Sequence, residues 1–240
     1  MKVIISGGFQ ASYRQLLPGF ESASGISVTT LSGASQGKGP ETIAAQLGRG
    51  VAADVVIMSR EGLTELMAAG RILAGSDADL ATAALGAAIP KGVRRPDIHD
   101  VDALKSTLLN AKLIAVPAST SGIYLIEEVF PRLGPAGKVN VKVTPRGSQS
   151  AQLAACGEAD IALQPVSELL GVEGLDYLGE LPREVQLIQM FSAAIVAGSK
   201  ELEAGKRLIA HLRTPEAAAI IRKNGMQPAP HCIGDGARTP

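Results

Sequence analysis

At 240 residues with 46% hydrophobic positions, the chain can bury a sizeable core, as one large domain or two of ordinary size. Lysine plus arginine and aspartate plus glutamate each number 23, so the formal charge is zero, which argues against a nucleic-acid partner that needs a clustered basic surface. Aromatics are 3% and tryptophan is absent, which argues against stacking platforms for bases or sugars; no apolar run is long enough to span a membrane.

The chain opens on a short buried strand, residues 2–6, that runs through Gly7-Gly8 into an amphipathic helix with Phe9, Tyr13, Leu16, Leu17 and Phe20 on one side. A strand, a glycine turn and a helix aim backbone N–H groups at the strand's carboxyl end, where open α/β sheets bind ligands; the alternative is a tight turn and nothing more. GGFQAS lacks the third glycine of the dinucleotide fingerprint. Residues 26–31 give a second strand. Next comes a loop of small residues from Gly33 with a single cation, Lys38. A helix follows with Pro40 in its first turn, runs to about Leu47, and stops at Gly-Arg-Gly. Residues 54–59 are an apolar strand. A loop rich in free N–H groups at the positive end of a helix dipole suits an anion.

Residues 60–70 form a helix with Leu63, Leu66 and Met67 inward, and residues 83–90 an extended crossing segment. Asp100 or its successor starts a helix through about Asn110, and residues 113–116 are a strand. The small residues 118–122 then turn into a helix bearing Ile123, Ile126, Val129 and Phe130, the same shape as residues 2–20. After a strand at 139–143 and the loop 145–150, the earlier module returns: residues 150–165 align without a gap on residues 44–59 at a constant offset of 106. Gln46 falls on Gln152, Leu47 on Leu153, Ala53 on Ala159 and Asp54 on Asp160, with seven extra residues, Lys38 among them, lengthening the first copy's loop. Residues 175–178 are a short strand, 185–196 a long extended run suited to crossing back, and 200–213 and 215–223 helices; the stretch 227–240 lacks periodicity and reads as a loosely ordered tail.

Alternating strands and helices with short loops imply an α/β architecture with mainly parallel sheets. Two crossings divide the chain into lobe 1, residues 1–83 plus 191–240, and lobe 2, residues 84–190, with a two-strand hinge that closes on a ligand. Met1-Lys2 runs straight into the first strand with no secretory signal, so a cytoplasmic location is expected if Met1 is the native start and a periplasmic one if a leader has been removed. Cys156 reads as a buried structural thiol and Cys232 is its only companion; His99, His211 and His231 lack ligand spacing. No metal and no cofactor is expected.

The succession KVIISGGFQASYRQLLPGFE, GRGVAADVVIMS, PASTSGIYLIEEVF and GEADIAL, with a last amphipathic helix ending in Asn-Gly-Met, resembles the molybdate-binding group of the type II periplasmic solute-binding proteins. The resemblance implies two α/β lobes holding an anion between them through loop N–H groups and hydroxyls, and possible delivery to an ABC-transporter membrane component. Its ligand positions carry over only in part. The first-loop serine falls at Gly8, with Ser6 just before; the second-loop serine falls in the expanded Gln36-Gly37-Lys38-Gly39; the third-loop N–H falls at Ser121 and the fourth at Arg146 or Gly147; the tyrosine falls at Gln164. Phe9, Ser59, Gly122, Tyr124 and Ser148 complete the candidate ligand-binding set. Two added cations, Lys38 and Arg146, and a longer loop favour a small organic di- or tricarboxylate over a tetrahedral oxyanion, since a guanidinium pairs bidentately with a planar carboxylate. The alternative for both cations is solvated surface charge.

Two functions follow. One is a solute-binding protein that carries the anion to a transporter. The other is an enzyme on the same scaffold: the GGFQ and GASQGKGP loops are similar to a branch that includes aconitate isomerase, which implies a cofactor-independent proton shift along a tricarboxylate, with Lys38 as base or a loop serine as relay.

Overall fold

The computed structural model describes residues 1–134 and 138–230. Strand β1 (Lys2–Ile5) is buried because it lies between two parallel neighbours, β2 (Thr29–Ser32) and β3 (Val55–Ser59). Helix α1 (Gly7–Ser24) follows β1 at once and inserts Phe9, Tyr13, Leu16 and Phe20 from one face into the core; it ends at Gly25 in the left-handed conformation. Between β2 and β3, helix α2 (Ile43–Gly48) starts later than Pro40: the Thr42 hydroxyl caps it by accepting from Ala45 N–H (3.1 Å) and also donates to Gly39 C=O (3.1 Å). Residues 33–42 are therefore released as a long loop, with Pro40 outside the helix.

Helix α3 (Arg60–Ala68) buries Leu63 and Leu66, whereas Met67, expected inward, is 38% exposed. Strand β4 (Ala78–Pro90) leads to α4 (Val101–Asn110), whose cap is Asp100, and to β5 (Ile114–Pro117). Helix α5 (Thr120–Tyr124) passes through a π-helical turn, Leu125–Val129, into α6 (Phe130–Leu133); Leu125, Val129 and Phe130 face the core and Ile126 faces out, the π-turn having shifted the inward face away from the expected spacing. Then come β6 (Val141–Thr144), α7 (Gly147–Ala155), β7 (Ile161–Pro165), a single 3-10 turn at Val166–Glu168, and β8 (Leu175–Glu180). The chain returns along β9 (Ile188–Ile195) and closes with α8 (Leu202–His211) and α9 (Pro215–Lys223).

The strand order is β2-β1-β3-β9-β4-β7-β5-β6. Among the described strands, parallel pairing is confined to β2-β1-β3 and β6-β5-β7, and every antiparallel strand pair includes β4 or β9, which cross between the two halves. The antiparallel share is larger than strand–helix alternation implies, because each crossing strand pairs along its length. Leu85 marks the switch on β4, and there the Gln186 amide clamps the crossing. Its Oε1 accepts from Leu85 N–H (2.7 Å) and Leu187 N–H (2.9 Å), and its Nε2 donates to Leu85 C=O (3.0 Å) and Leu181 C=O (3.1 Å). Separate apolar cores lie on either side: Val3, Phe9, Ile57, Phe191 and Leu208 belong to one, Leu85, Leu104, Val116, Phe130 and Leu163 to the other.

The sequence repeat has a structural counterpart. β3 and β7 are five residues each, and each runs parallel to the first strand of its lobe, Val3 opposite Val55 and Ile114 opposite Ile161. The aspartate ahead of each is a backbone staple: Asp54 Oδ2 accepts from Lys2 N–H (2.6 Å), and Asp160 Oδ2 from Lys112 (2.5 Å) and Leu113 (3.0 Å) N–H.

Two further expectations are corrected. Cys156 is exposed, since α7 ends at Ala155 and fills its inward face with Ala151 and Ala154. Gln227 and Pro228 are not a loose tail but a short strand, β10, paired with Thr82 and Ala81 of β4. Cys232 and His231 lie in the stretch 231–240, outside the described residues. No described helix is long and apolar enough to cross a membrane.

Candidate functional site

Helices whose N-cap side chain satisfies a first-turn N–H are closed to a ligand; helices that lack this leave donors free. Thr42, Ser59, Asp100 and Thr214 cap α2, α3, α4 and α9. By contrast Ser6 ahead of α1 and Arg146 ahead of α7 make no capping bond, and neither does Ser119 ahead of α5. These three starts open on one cavity of about 210 Å³ where the lobes meet, whereas α8, likewise uncapped at Glu201, begins at a different groove. Lobe 1 contributes Ser6, Gly7, Gly8, Arg14 and Ser35 to its wall, lobe 2 contributes Ser119, Ser121, Arg146, Gly147, Ser148 and Glu168, and the returning strand β9 contributes Gln189. A larger open groove of about 630 Å³ lies elsewhere, around Met1, Gly50–Asp54 and Val196–Glu201; it is lined from lobe 1 alone.

Within the cavity wall two buried polar atoms have no partner among the described residues, Ser6 Oγ and Gln189 Oε1. Burying such groups without hydrogen bonds costs about 1–3 kcal/mol each, which a ligand or water would recover. Glu168 brings a carboxyl into the same space. A Cβ placed on Gly7 would fall 2.6 Å from Glu168 Oε2, and one on Gly147 closer still, so only glycine at the start of both helices lets the carboxyl lie between them. Among the described residues the Glu168 carboxyl makes no hydrogen bond and no ion pair, and burial pushes its pKa up to about 7. Its backbone carbonyl accepts from Gln164 Nε2 (3.1 Å), which fixes the 3-10 turn.

Of the candidate set, Ser6, Gly8, Ser121, Arg146, Gly147 and Ser148 line the cavity. The others are placed differently. Phe9 is wholly buried in the lobe 1 core, on the helix face opposite the cavity. Gly122 is packed against Pro117 of β5, where no side chain fits, and the Tyr124 hydroxyl donates to Gln186 C=O (3.3 Å) near the crossing. Gln164 lies beneath the cavity and acts on Glu168. Lys38 is exposed and outside the cavity wall.

The expanded loop has another role, as a latch. Gly37, at φ 115°, passes close over the Ala118 carbonyl of lobe 2. Gln36 Oε1 accepts from the Thr120 hydroxyl (2.7 Å), which also bonds Ser59 Oγ (2.8 Å). Arg146 pairs through Nη2 with Glu41 of the same loop, so it is neither free surface charge nor wholly available to a ligand. The loop serine that does reach the cavity is Ser35, whose Oγ accepts from Ser59 N–H (2.9 Å). Glu168, Arg14, Ser35, Ser119 and Gln189 were not singled out from sequence. For Glu168 a signal existed: it is the sole charge in the apolar run from Ile161 to Leu170.

The family model for bacterial extracellular solute-binding proteins matches residues 1–227. An aconitate isomerase from a Pseudomonas species is 34% identical over 232 residues, 96% of this chain and 88% of that protein. The periplasmic molybdate-binding protein of Azotobacter vinelandii superposes with a TM-score of 0.73 at 19% identity, covering 96% of this chain and 100% of that one. The sulfate-binding protein SubI of Mycobacterium tuberculosis H37Rv superposes with a TM-score of 0.72 at 18% identity, covering 95% and 85%. The fold is that of the two-lobed type II periplasmic binding proteins. On the family match over nearly its whole length, this chain belongs to the bacterial extracellular solute-binding proteins.

Proposed function

We propose that the cleft binds a small organic di- or tricarboxylate and shifts a proton along it, an isomerisation of the aconitate type. One observation carries this reading: two arginines, Arg14 and Arg146, line the same small cavity as the uncapped starts of α1 and α7. Neutral N–H and O–H donors suffice for a tetrahedral oxyanion. Guanidinium forks match planar carboxylates, and Glu41 occupies only one end of Arg146, leaving its other N–H donors for a ligand. The volume, about 210 Å³, is below the roughly 300–1,000 Å³ of drug-sized pockets and suits a small metabolite. The 34% identical aconitate isomerase supports the same substrate class.

A second reading keeps the binding step and drops the chemistry: a receptor that hands its anion to an ABC-transporter membrane component outside the cytoplasm. The family match favours it. Two measurements separate these readings. Melting-temperature shifts with trans-aconitate, citrate, molybdate and sulfate identify the ligand class; stabilisation by molybdate or sulfate alone refutes the carboxylate reading. Proton NMR of trans-aconitate incubated with the protein shows the cis isomer if the protein is an enzyme, and an unchanged spectrum alongside tight binding makes it a receptor.

A further inference from the structure

We propose that Glu168 is the proton-transferring group of this cleft, removing a proton from one carbon of an allylic tricarboxylate and returning it to another. The assignment rests on the isomerase reading above. It begins from what the cavity offers. Among its lining residues Glu168 is the sole carboxyl, and histidine, lysine, cysteine and tyrosine are absent; the two arginines offer donors and no acceptor. Hydroxyls can relay a proton but do not hold one off near neutrality. Lys38, the sequence candidate for a base, is exposed and lies outside the wall.

The placement of Glu168 is what a mere anion receptor would avoid. Its carboxyl lies between the two helix starts that would otherwise hold the ligand, against Gly7 and Gly147, and a charge there repels an anionic guest. The neighbours do not neutralise it: the charged groups facing the same space are Arg14 on α1 and Arg146 ahead of α7, the latter already paired with Glu41, and neither bonds it. On the far side of the 3-10 turn, Tyr177 of β8 packs with Val166 over Gly86, and burial pushes its pKa up to about 12, so it stays neutral. Half-buried in this way, with its pKa pushed up to about 7, the carboxyl can act as base and then as acid.

The step balances within the pair. The Glu168 carboxylate takes a proton from the substrate methylene as that C–H bond breaks. The electron pair spreads through the adjacent double bond onto a terminal carboxylate, stabilised by Arg14, Arg146 and the free amides of α1 and α7. Glu168, now neutral, gives the proton to the carbon at the other end of the three-carbon unit, and the double bond re-forms one position along.

The test compares wild type with Glu168→Gln, a change of the acid to its neutral isostere. Conversion of trans-aconitate is followed by NMR, and binding of tricarballylate, the saturated analogue, by calorimetry in two buffers of different ionisation enthalpy. The expected result is a loss of about 100-fold or more in turnover, within the usual range for general acid–base groups. Tricarballylate should bind as well or better, and the proton uptake that accompanies its binding to wild type near pH 7.5 should vanish. A variant that turns over within about threefold of wild type, short of the usual general acid–base contribution, overturns the assignment and leaves the isomerase reading intact. Wild type that binds tricarballylate yet converts nothing refutes the isomerase reading, and the assignment falls with it. If Glu168→Gln does not fold, Glu168→Asp withdraws the carboxyl by one methylene; full wild-type turnover in that variant overturns the assignment.

Discussion

Replacing Gly8 with alanine sets two physical effects against each other. By intrinsic propensity, glycine to alanine within a helix stabilises by up to about 1 kcal/mol, and less in the first turn, where Gly8 lies. The structure argues the opposite sign. A Cβ at Gly8 would meet the Phe191 ring, with Cε2 at 2.8 Å the farthest of the three nearest atoms. Ordinary carbon contact is about 3.5–4.0 Å, so the ring or the helix must retreat by roughly 1 Å or more. Neither moves freely: Phe191 is 1% exposed, on a crossing strand and inside the lobe 1 core. Overpacking of this kind costs about 1–3 kcal/mol, leaving a net loss near 1–2 kcal/mol. For a chain of this size that lowers Tm by about 2–8 °C. The assay is thermal unfolding of Gly8→Ala, Phe191→Leu and the double variant, where the coupling term isolates the contact. An unchanged or raised Tm in Gly8→Ala, or strict additivity in the double variant, refutes the reasoning.

Thr120→Val removes both hydroxyl bonds that tie lobe 2 to Gln36 and to the buried Ser59. The expected cost is about 1–3 kcal/mol, with a larger radius of gyration for the unliganded protein in solution scattering; unchanged scattering and Tm would remove the latch. Glu168 gives a pH signature in stability as well. Its folded pKa of about 7 exceeds the unfolded value near 4.3, so the stability it contributes is complete below pH 4 and is lost as pH rises through 7. Glu168→Gln should therefore melt higher than wild type at pH 8, by roughly 2–4 kcal/mol in stability, with the difference closing near pH 4. Equal stabilities at pH 8 would mean that the carboxyl is solvated or partnered in solution.

Local sequence sufficed wherever one residue or one periodicity dictates the backbone. The apolar strands at β1, β3 and β7, the helical face of Phe9, Tyr13, Leu16 and Phe20, the Asp100 cap and the repeat at offset 106 were all readable, because alternation, 3.6-residue spacing and capping act over a few residues. The resemblance likewise led to the two-lobed α/β fold and to the glycine-led helix starts at the cleft. What the chain could not disclose in one dimension was which side chains meet across the lobe boundary. Lys38 and Gln36 read as ligand groups, yet the loop that bears them folds over onto Ala118 and Thr120, and Glu41 from it shares Arg146 with the cavity. Glu168 was not singled out from the sequence. It gains its character only because α1, from one end of the chain, and α7, from its middle, both begin with glycine against its carboxyl, and desolvation by distant residues sets its proton affinity. Burial and electrostatic neighbourhood are sums over the whole tertiary arrangement, so they are decided only when the crossing strands bring the two lobes face to face.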